Sequence, residues 1–145
     1  MSLRTGLGRL FGSEGPGSVP GRPAEGDASL AEATALLGTN MEAIAGDFSL
    51  EGIRSLGSPV ATHVSNGGGS LLELWLEPFG QDYWLRPGET FVVTSYGKTG
   101  DGAVFEVVHE PERIQVWATS FFATVTFPDG TEVPGGHQRP REEYY

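Results

Sequence analysis

Three histidines, His63, His109 and His137, are the residues best suited to metal binding or acid-base chemistry, because imidazole titrates near neutral pH. A cupin-type metal site would need a His-x-His pair followed by a Glu on neighbouring strands, and the chain has no His-x-His. His109 stands beside Glu110 at the end of a predicted strand, which is an ordinary surface position. We therefore predict neither a metal site nor any other cofactor.

Paired carboxylates offer a second kind of chemistry. Glu73 and Glu77 lie four residues apart on one predicted strand, which separates them by about 13 Å. The two carboxyls of a glycosidase lie about 5 to 10 Å apart, so only a neighbouring strand could complete a pair, for example with Glu106. The chain also lacks a Gly-x-Ser-x-Gly elbow, a phosphate loop and a dinucleotide fingerprint. We predict no catalytic residue.

Aromatic side chains give the strongest indication of function. Leucines alternate along residues 72–77, so Trp75 is predicted to point outward between Glu73 and Glu77. The same rule turns Trp117 outward, and Phe121 and Phe122 place one ring on each side of their strand. Large apolar groups on a sheet face indicate a contact surface. We predict contact residues at Trp75, Trp117 and Phe122, with Glu73 and Glu77 beside them.

Three explanations for outward tryptophans stay open. A helical segment of the same chain could cover them, because apolar residues at 36, 37, 41 and 44 must pack on something. A protein partner or a second copy of the chain could bind there instead. A sugar ring stacked on a tryptophan is the third explanation.

The elements that must position these residues are mostly strands. Short alternating or apolar runs at 60–65, 72–77, 83–85, 90–96, 103–110, 113–119 and 121–127 are separated by turn residues and by no helix. Asn66 and the glycines after it predict a hairpin with a slightly lengthened loop between the first two strands. About seven such strands predict a mainly β fold, namely a single antiparallel β-sandwich or partly closed barrel.

The turn residues in the middle of the chain carry a family resemblance. Glu77-Pro78-Phe79-Gly80, then Tyr83, then Leu85-Arg86-Pro87-Gly88 resemble an EPxG…Y…LxPG pattern of small bacterial β-domains with no assigned role. Pro87 followed by Gly88 predicts a type II turn. The resemblance covers about twelve residues and implies a β-domain without an activity.

The rest of the chain divides around this domain. We predict a flexible segment at 1–26, a cover segment at 27–57 with a short helix at 27–37 that stops at Gly38, the β-domain at 58–133, and a mobile tail at 134–145. Within the first segment, Leu3, Leu7, Leu10 and Phe11 would share one face of a helix. They form a candidate docking peptide, and residues 142–145 form a second candidate.

Composition limits the class of partner. A formal net charge of −10, with nine scattered Lys and Arg, argues against nucleic acid and anionic membranes as partners. The chain has no cysteine, and no apolar run is long enough to cross a membrane, so we expect a cytoplasmic protein. We predict a non-enzymatic protein-interaction or assembly module that binds a protein partner or itself. The alternatives are a carbohydrate-binding module or small hydrolase, and an acidic inhibitor or immunity-type protein.

Overall fold

The computed structural model describes residues 25–138 and the side chains of residues 30–137. Two helices precede seven strands, and a short 3-10 helix follows them. The elements are α1 (Glu25–Ile44), α2 (Leu50–Ser55), β1 (Val60–Ser65), β2 (Leu72–Glu77), β3 (Gln81–Leu85), β4 (Thr90–Ser95), β5 (Phe105–Glu110), β6 (Arg113–Ala118), β7 (Ala123–Thr126) and the 3-10 helix (Gly136–Gln138). The mainly β architecture and the helix near the N-terminus confirm the sequence prediction.

The strands form two sheets that pack face to face. A three-stranded sheet has the order β1-β4-β7, and a four-stranded sheet has the order β3-β2-β6-β5. Both sheets are open in the described part of the chain, which makes the fold a sandwich and not a closed barrel. The core between them consists mainly of Leu74, Leu76, Leu85, Phe91, Val93, Val116 and Val125.

One strand pair departs from the predicted antiparallel arrangement. β2 and β6 run parallel, with Leu74 opposite Ile114 and Leu76 opposite Val116. A tight turn forces its two strands to be antiparallel, but three strands and their connections separate β2 from β6. The local turn signals therefore leave this direction undetermined.

The predicted hairpin between the first two strands is wrong. β1 pairs with β4 in one sheet, whereas β2 belongs to the other sheet. Asn66 holds this crossing: its Nδ2 donates to the carbonyl oxygens of Ser70 at 2.8 Å and Leu85 at 3.0 Å, and its Oδ1 accepts from Gly68 N. The Asn66 main chain also bonds Gly88 and Glu89. The hydrogen bonds of Asn66 thus hold the segment that crosses from β1 in one sheet to β2 in the other.

Helix α1 is longer than predicted and passes through Gly38 without stopping. Its anchor is Asn40, which is 2% exposed. Asn40 Nδ2 donates to the carbonyl oxygens of Lys98 at 3.0 Å and Ser120 at 2.8 Å, and its Oδ1 accepts from Lys98 N at 2.9 Å. Tertiary hydrogen bonds of Asn40, two residues past Gly38, therefore offset the cost of about 1 kcal/mol for a glycine inside a helix.

Part of the predicted division of the chain lies outside the described residues. This applies to residues 1–24, and so to the docking peptide Leu3, Leu7, Leu10 and Phe11, and to residues 139–145. Residues 134–138 were predicted to begin a mobile tail. They instead contain the 3-10 helix, which packs against β3. In the part of the chain that the structure describes, no helix is long and apolar enough to span a membrane.

We expect Asn40→Ala to lower the free energy of unfolding by about 2 to 4 kcal/mol, because it leaves the buried carbonyl of Ser120 and two part-buried backbone groups of Lys98 without their partner. Urea denaturation followed by fluorescence would measure the change. Thr39→Ala is the matched control, since exposed Thr39 bonds only within its own helix, to Ala35 O. The control should change stability by no more than about 0.5 kcal/mol. Equal effects of the two substitutions would contradict the anchoring role of Asn40.

Candidate interaction face on the four-stranded sheet

The side of the four-stranded sheet that points away from the core brings together most of the predicted contact residues. We call it the outer face. Its three cross-strand rows, read from β3 through β2 and β6 to β5, are Trp84, Glu73, Arg113 and Glu110; Asp82, Trp75, Gln115 and Val108; and Glu77, Trp117 and Glu106. The predicted outward direction of Glu73, Trp75 and Glu77 is confirmed, because Leu74 and Leu76 between them are fully buried. The direction of Trp117 is confirmed in the same way, because Val116 and Ala118 on either side of it are buried.

Trp75 sits at the centre of the outer face and has partners in its own chain. Its Nε1 donates a hydrogen bond of 3.1 Å to Glu73 Oε2. The same oxygen lies 3.3 Å from Arg113 Nε, and the Arg113 guanidinium carbon lies 4.9 Å from the centre of the Trp75 ring. A cation stacked on an indole in this way is stabilised by the ring quadrupole. Trp75 is thus already covered, by Arg113.

Trp84 is a third tryptophan on this face, and the sequence analysis did not include it among the contact residues. The alternation that turns Tyr83 and Leu85 inward is the signal that could have found it. Residues 135–137 cross over it, so closely that a Cβ atom at Gly136 would lie 2.4 Å from Trp84 Nε1. Asp82 holds the crossing segment, since its Oδ1 lies 2.9 Å from His137 Nδ1. The 3-10 segment therefore covers Trp84.

Trp117 is the tryptophan of this face with a largely open ring, and 41% of its surface is exposed. Glu77 on β2 and Glu106 on β5 are its direct cross-strand neighbours. Since neighbouring strands lie about 4.8 Å apart, the two glutamate backbones flank the tryptophan at a separation of about 10 Å. The arrangement is an exposed indole between two carboxylates.

The helices leave this side of the sandwich open. Helix α2 packs on β7, where the outward-facing Thr124 and Thr126 of the three-stranded sheet are buried. Helix α1 does not lie across the outer face. Of its predicted covering residues, Ile44 is buried and Leu36 is half-buried, while Leu37 and Met41 remain exposed. One open explanation for the outward Trp117 was that α1 covers it. In the structure α1 borders Trp117 through Leu36 and leaves 41% of the Trp117 surface exposed.

The exposed apolar surface continues onto the edge strand β5. Val108 lies on the outer face opposite Gln115 and is exposed. Val107 shares the side of the sheet that carries buried Val116, yet 55% of its surface is exposed. β5 therefore projects beyond the core, and charged residues at 106 and 110 are its protection against strand pairing with other chains.

Phe122 does not belong to the outer face, and its prediction as a contact residue is wrong. The side chain is 3% exposed and stacks on Phe48, with ring centres 6.2 Å apart. Phe122 precedes β7 and does not lie within it, so the strand alternation that would expose one ring of the pair does not apply. Its main-chain oxygen accepts a hydrogen bond from Ser120 Oγ at 2.9 Å.

The outer face is strongly acidic. Its four strands contribute five carboxylates and one arginine, a formal charge of 1 − 5 = −4; the acids are Glu73, Glu77, Asp82, Glu106 and Glu110. The arginine, Arg113, is already engaged with Glu73 and Trp75. A ligand of this face therefore meets a negative potential.

The histidines do not come together. His63 is exposed on β1, and His109 is exposed on β5. His137 lies in the 3-10 helix after β7 and pairs with Asp82 of β3. Among the described residues, no group of three or more His, Cys, Asp and Glu is arranged to hold a metal ion.

The His137–Asp82 pair borders a cavity of about 400 Å³ next to Tyr83. Burial raises the pKa of Tyr83 to about 12, with smaller contributions from Glu132 and Asp82. Tyr83 is therefore a neutral phenol at physiological pH, without the charge that would make it a nucleophile.

No family model, no curated protein and no solved structure matches this chain. The turn behind the resemblance to bacterial β-domains has the predicted form, since Glu89 N donates to Arg86 O at 3.0 Å and Gly88 has a φ of 82°. Membership in such a family stays a prediction.

The raised pKa of Tyr83 predicts a loss of stability at alkaline pH. In the unfolded chain a tyrosine titrates near pH 10 and so loses its proton first. The contribution of protonated Tyr83 to the free energy of unfolding is complete below pH 10. It falls by about 1.4 kcal/mol per pH unit as the pH rises from 10 to 12. Denaturant unfolding of wild type and of Tyr83→Phe at several pH values in that range would measure the difference. The variant should show a shallower decline, and parallel curves would contradict the assignment.

Proposed function

We propose that this protein is a non-enzymatic interaction module whose outer face binds a protein segment carrying a cation beside an apolar group. The observation that carries the proposal is the exposed Trp117 between Glu77 and Glu106. Exposed tryptophans surrounded by polar groups are enriched among the residues that dominate protein interfaces.

Charge supports a basic partner. The outer face has a formal charge of −4, and Arg113 is engaged within it. Two copies packed outer face to outer face would oppose carboxylates to carboxylates, which costs free energy. Self-association through this face alone is therefore less favoured than binding of a cationic segment.

The arrangement around Trp117 suits an arginine of the partner. A guanidinium stacks on an indole and forms planar hydrogen bonds with carboxylates. Glu77 and Glu106 stand on the two sides of the ring, where such hydrogen bonds would be made. Trp75 with Arg113 and Glu73 is an example of the same pairing inside the protein. Val108 would supply apolar contact next to it.

Two alternatives draw on the same residues. The backbone separation of Glu77 and Glu106, about 10 Å, leaves their carboxyls within the range of glycosidase pairs, so a sugar stacked on Trp117 is the second candidate. The clustering of Glu73, Glu77 and Glu106 on one face supports an acidic inhibitor, which would be one form of the proposed module with a basic target.

Selection from a random peptide library by the full chain tests the proposal. We expect enrichment of peptides that combine arginine with a neighbouring leucine or aromatic residue, with binding that weakens as salt is raised. Trp117→Ser should lower the affinity of a selected peptide about 30-fold or more, as for an interface residue worth about 2 kcal/mol. Val60→Ser, which removes an exposed valine of the other sheet, is the matched control and should leave the affinity unchanged.

Peptides that bind Trp117→Ser as tightly as wild type would refute the proposal. A glycan array with the same variants tests the sugar alternative, which requires binding that is lost in Trp117→Ser and in Glu77→Gln. Light scattering of wild type and Trp117→Ser tests self-association. A wild-type oligomer that becomes a folded monomer on substitution would assign the face to a second copy.

A further inference from the structure

A groove next to Trp117 offers a second binding surface. It has a volume of about 440 Å³ and lies between α1 and one end of the four-stranded sheet. Leu36, Trp117 and Phe121 are the largest apolar residues that line it. Three carboxylates, Glu32, Asp101 and Glu106, also line the groove, while no lysine or arginine of the described residues does. It therefore suits a ligand that is both apolar and basic.

Buried hydrogen bonds position one wall of this groove. Phe121 has a φ of 63°, a conformation that a bulky residue rarely adopts without support. Its neighbour Ser120 supplies the support, since Ser120 O accepts from Asn40 Nδ2 and Ser120 Oγ lies 2.5 Å from Ser95 Oγ. On the opposite side, a Cβ atom at Gly100 would lie only 3.3 Å from Leu36 Cδ1. Hydrogen bonds of Ser120 therefore position the Phe121 wall, and Gly100 lets the chain approach Leu36 closely.

The chain itself contains a segment with the matching chemistry. Residues 2–11 carry the four apolar side chains Leu3, Leu7, Leu10 and Phe11, spaced as on one helix face, together with Arg4 and Arg9. The segment has no acidic residue and a formal charge of +2. Because the whole chain has a charge of −10, the other residues together carry −12. Two arginines face three groove carboxylates when the segment is docked.

The connecting residues are long enough for docking within one molecule. Residues 12–24 number 13 and span up to about 45 Å when extended. Leu36 lies 11 residues after the start of α1 at Glu25, which is about 17 Å along the helix. The segment can therefore fold back to the groove with length to spare. A tether of this kind gives an effective concentration on the order of millimolar.

We propose that residues 2–11 bind in the groove between α1 and Trp117 of the same chain. The apolar side chains lie against Leu36, Trp117 and Phe121, and the two arginines pair with Glu32, Asp101 and Glu106. The bound segment covers part of Trp117, so it competes with any partner of the outer face. The inference does not depend on the proposed function, because it concerns a contact within the chain.

A nitroxide spin label tests the proposal directly, since the chain has no cysteine and Ser2→Cys creates a single attachment site. In the full-length labelled chain we expect strong paramagnetic loss of intensity at the Trp117 indole and Gly100 amide NMR signals. The Gly88 amide, in the turn at the opposite end of β4, is the reference and should keep its intensity. Loss at Trp117 no greater than at Gly88, or no loss at either, overturns the proposal.

Two matched comparisons define the contact. Adding Leu10→Ser and Phe11→Ser to the labelled chain removes apolar contact and should restore the Trp117 signal, whereas a signal that stays weak overturns the role of these side chains. Asp101→Asn with Glu106→Gln should weaken docking more than Glu110→Gln, an acidic residue of the same sheet outside the groove; equal effects overturn the ion pairs.

Mixing two differently labelled samples of the chain tests whether the docked segment belongs to the same molecule or to a second copy. In a sample of isotope-labelled chain without nitroxide and spin-labelled chain without isotope, only contacts between molecules broaden the signals. We expect the Trp117 signal to keep its intensity there. Broadening as strong as in the single labelled chain would assign the groove to a second copy and overturn docking within one molecule.

Discussion

The buried amide of Asn40 is the interaction on which the rest of the architecture depends. It joins α1 to the chain on both sides of the sandwich, because Lys98 follows β4 in one sheet and Ser120 follows β6 in the other. Buried backbone groups cost about 1 to 3 kcal/mol each when left unpaired. Asn66 performs the same task at the other end of β4, where its side chain bonds Ser70 and Leu85. Two asparagines thus close the two ends of a core that is otherwise apolar.

The position of α1 decides which part of the sandwich stays open. With its anchor at the end of the sheets, the helix lines the edge of the outer face beside Trp117 and Glu106. Helix α2 covers β7 of the opposite sheet, and residues 135–137 cover Trp84. Arg113 covers Trp75. Within residues 25–138, the chain therefore covers two of the outer-face tryptophans with its own residues and leaves 41% of Trp117 exposed, which is why both proposed contacts centre on Trp117.

Electrostatics narrows the ligand of this region further. The outer face and the groove share Glu106 and Trp117, and both combine apolar surface with unbalanced carboxylates. A neutral apolar ligand would remove those carboxylates from water without compensation, which costs free energy. A cation stacked on the indole contacts the apolar surface and also balances the charge of the carboxylates. Residues 2–11 and the proposed external partner have this property in common, so they would compete for Trp117.

The sequence by itself determined the fold class, the seven strands near their observed positions, and the direction in which Trp75 and Trp117 point. These features depend on the two-residue period of a strand, which is a local property. Only the tertiary structure decided that β1 pairs with β4, that β2 and β6 run parallel, that α1 continues past Gly38, and that Phe122 is buried against Phe48. These features depend on contacts between distant parts of the chain: Asn66 bonds Leu85, Asn40 bonds Ser120, β2 pairs with β6, and Phe48 stacks on Phe122. Hydrogen bonds between residues 19 and 80 positions apart leave no periodic trace in a sequence, which is why strand alternation could be read from the chain and the shape of the groove could not.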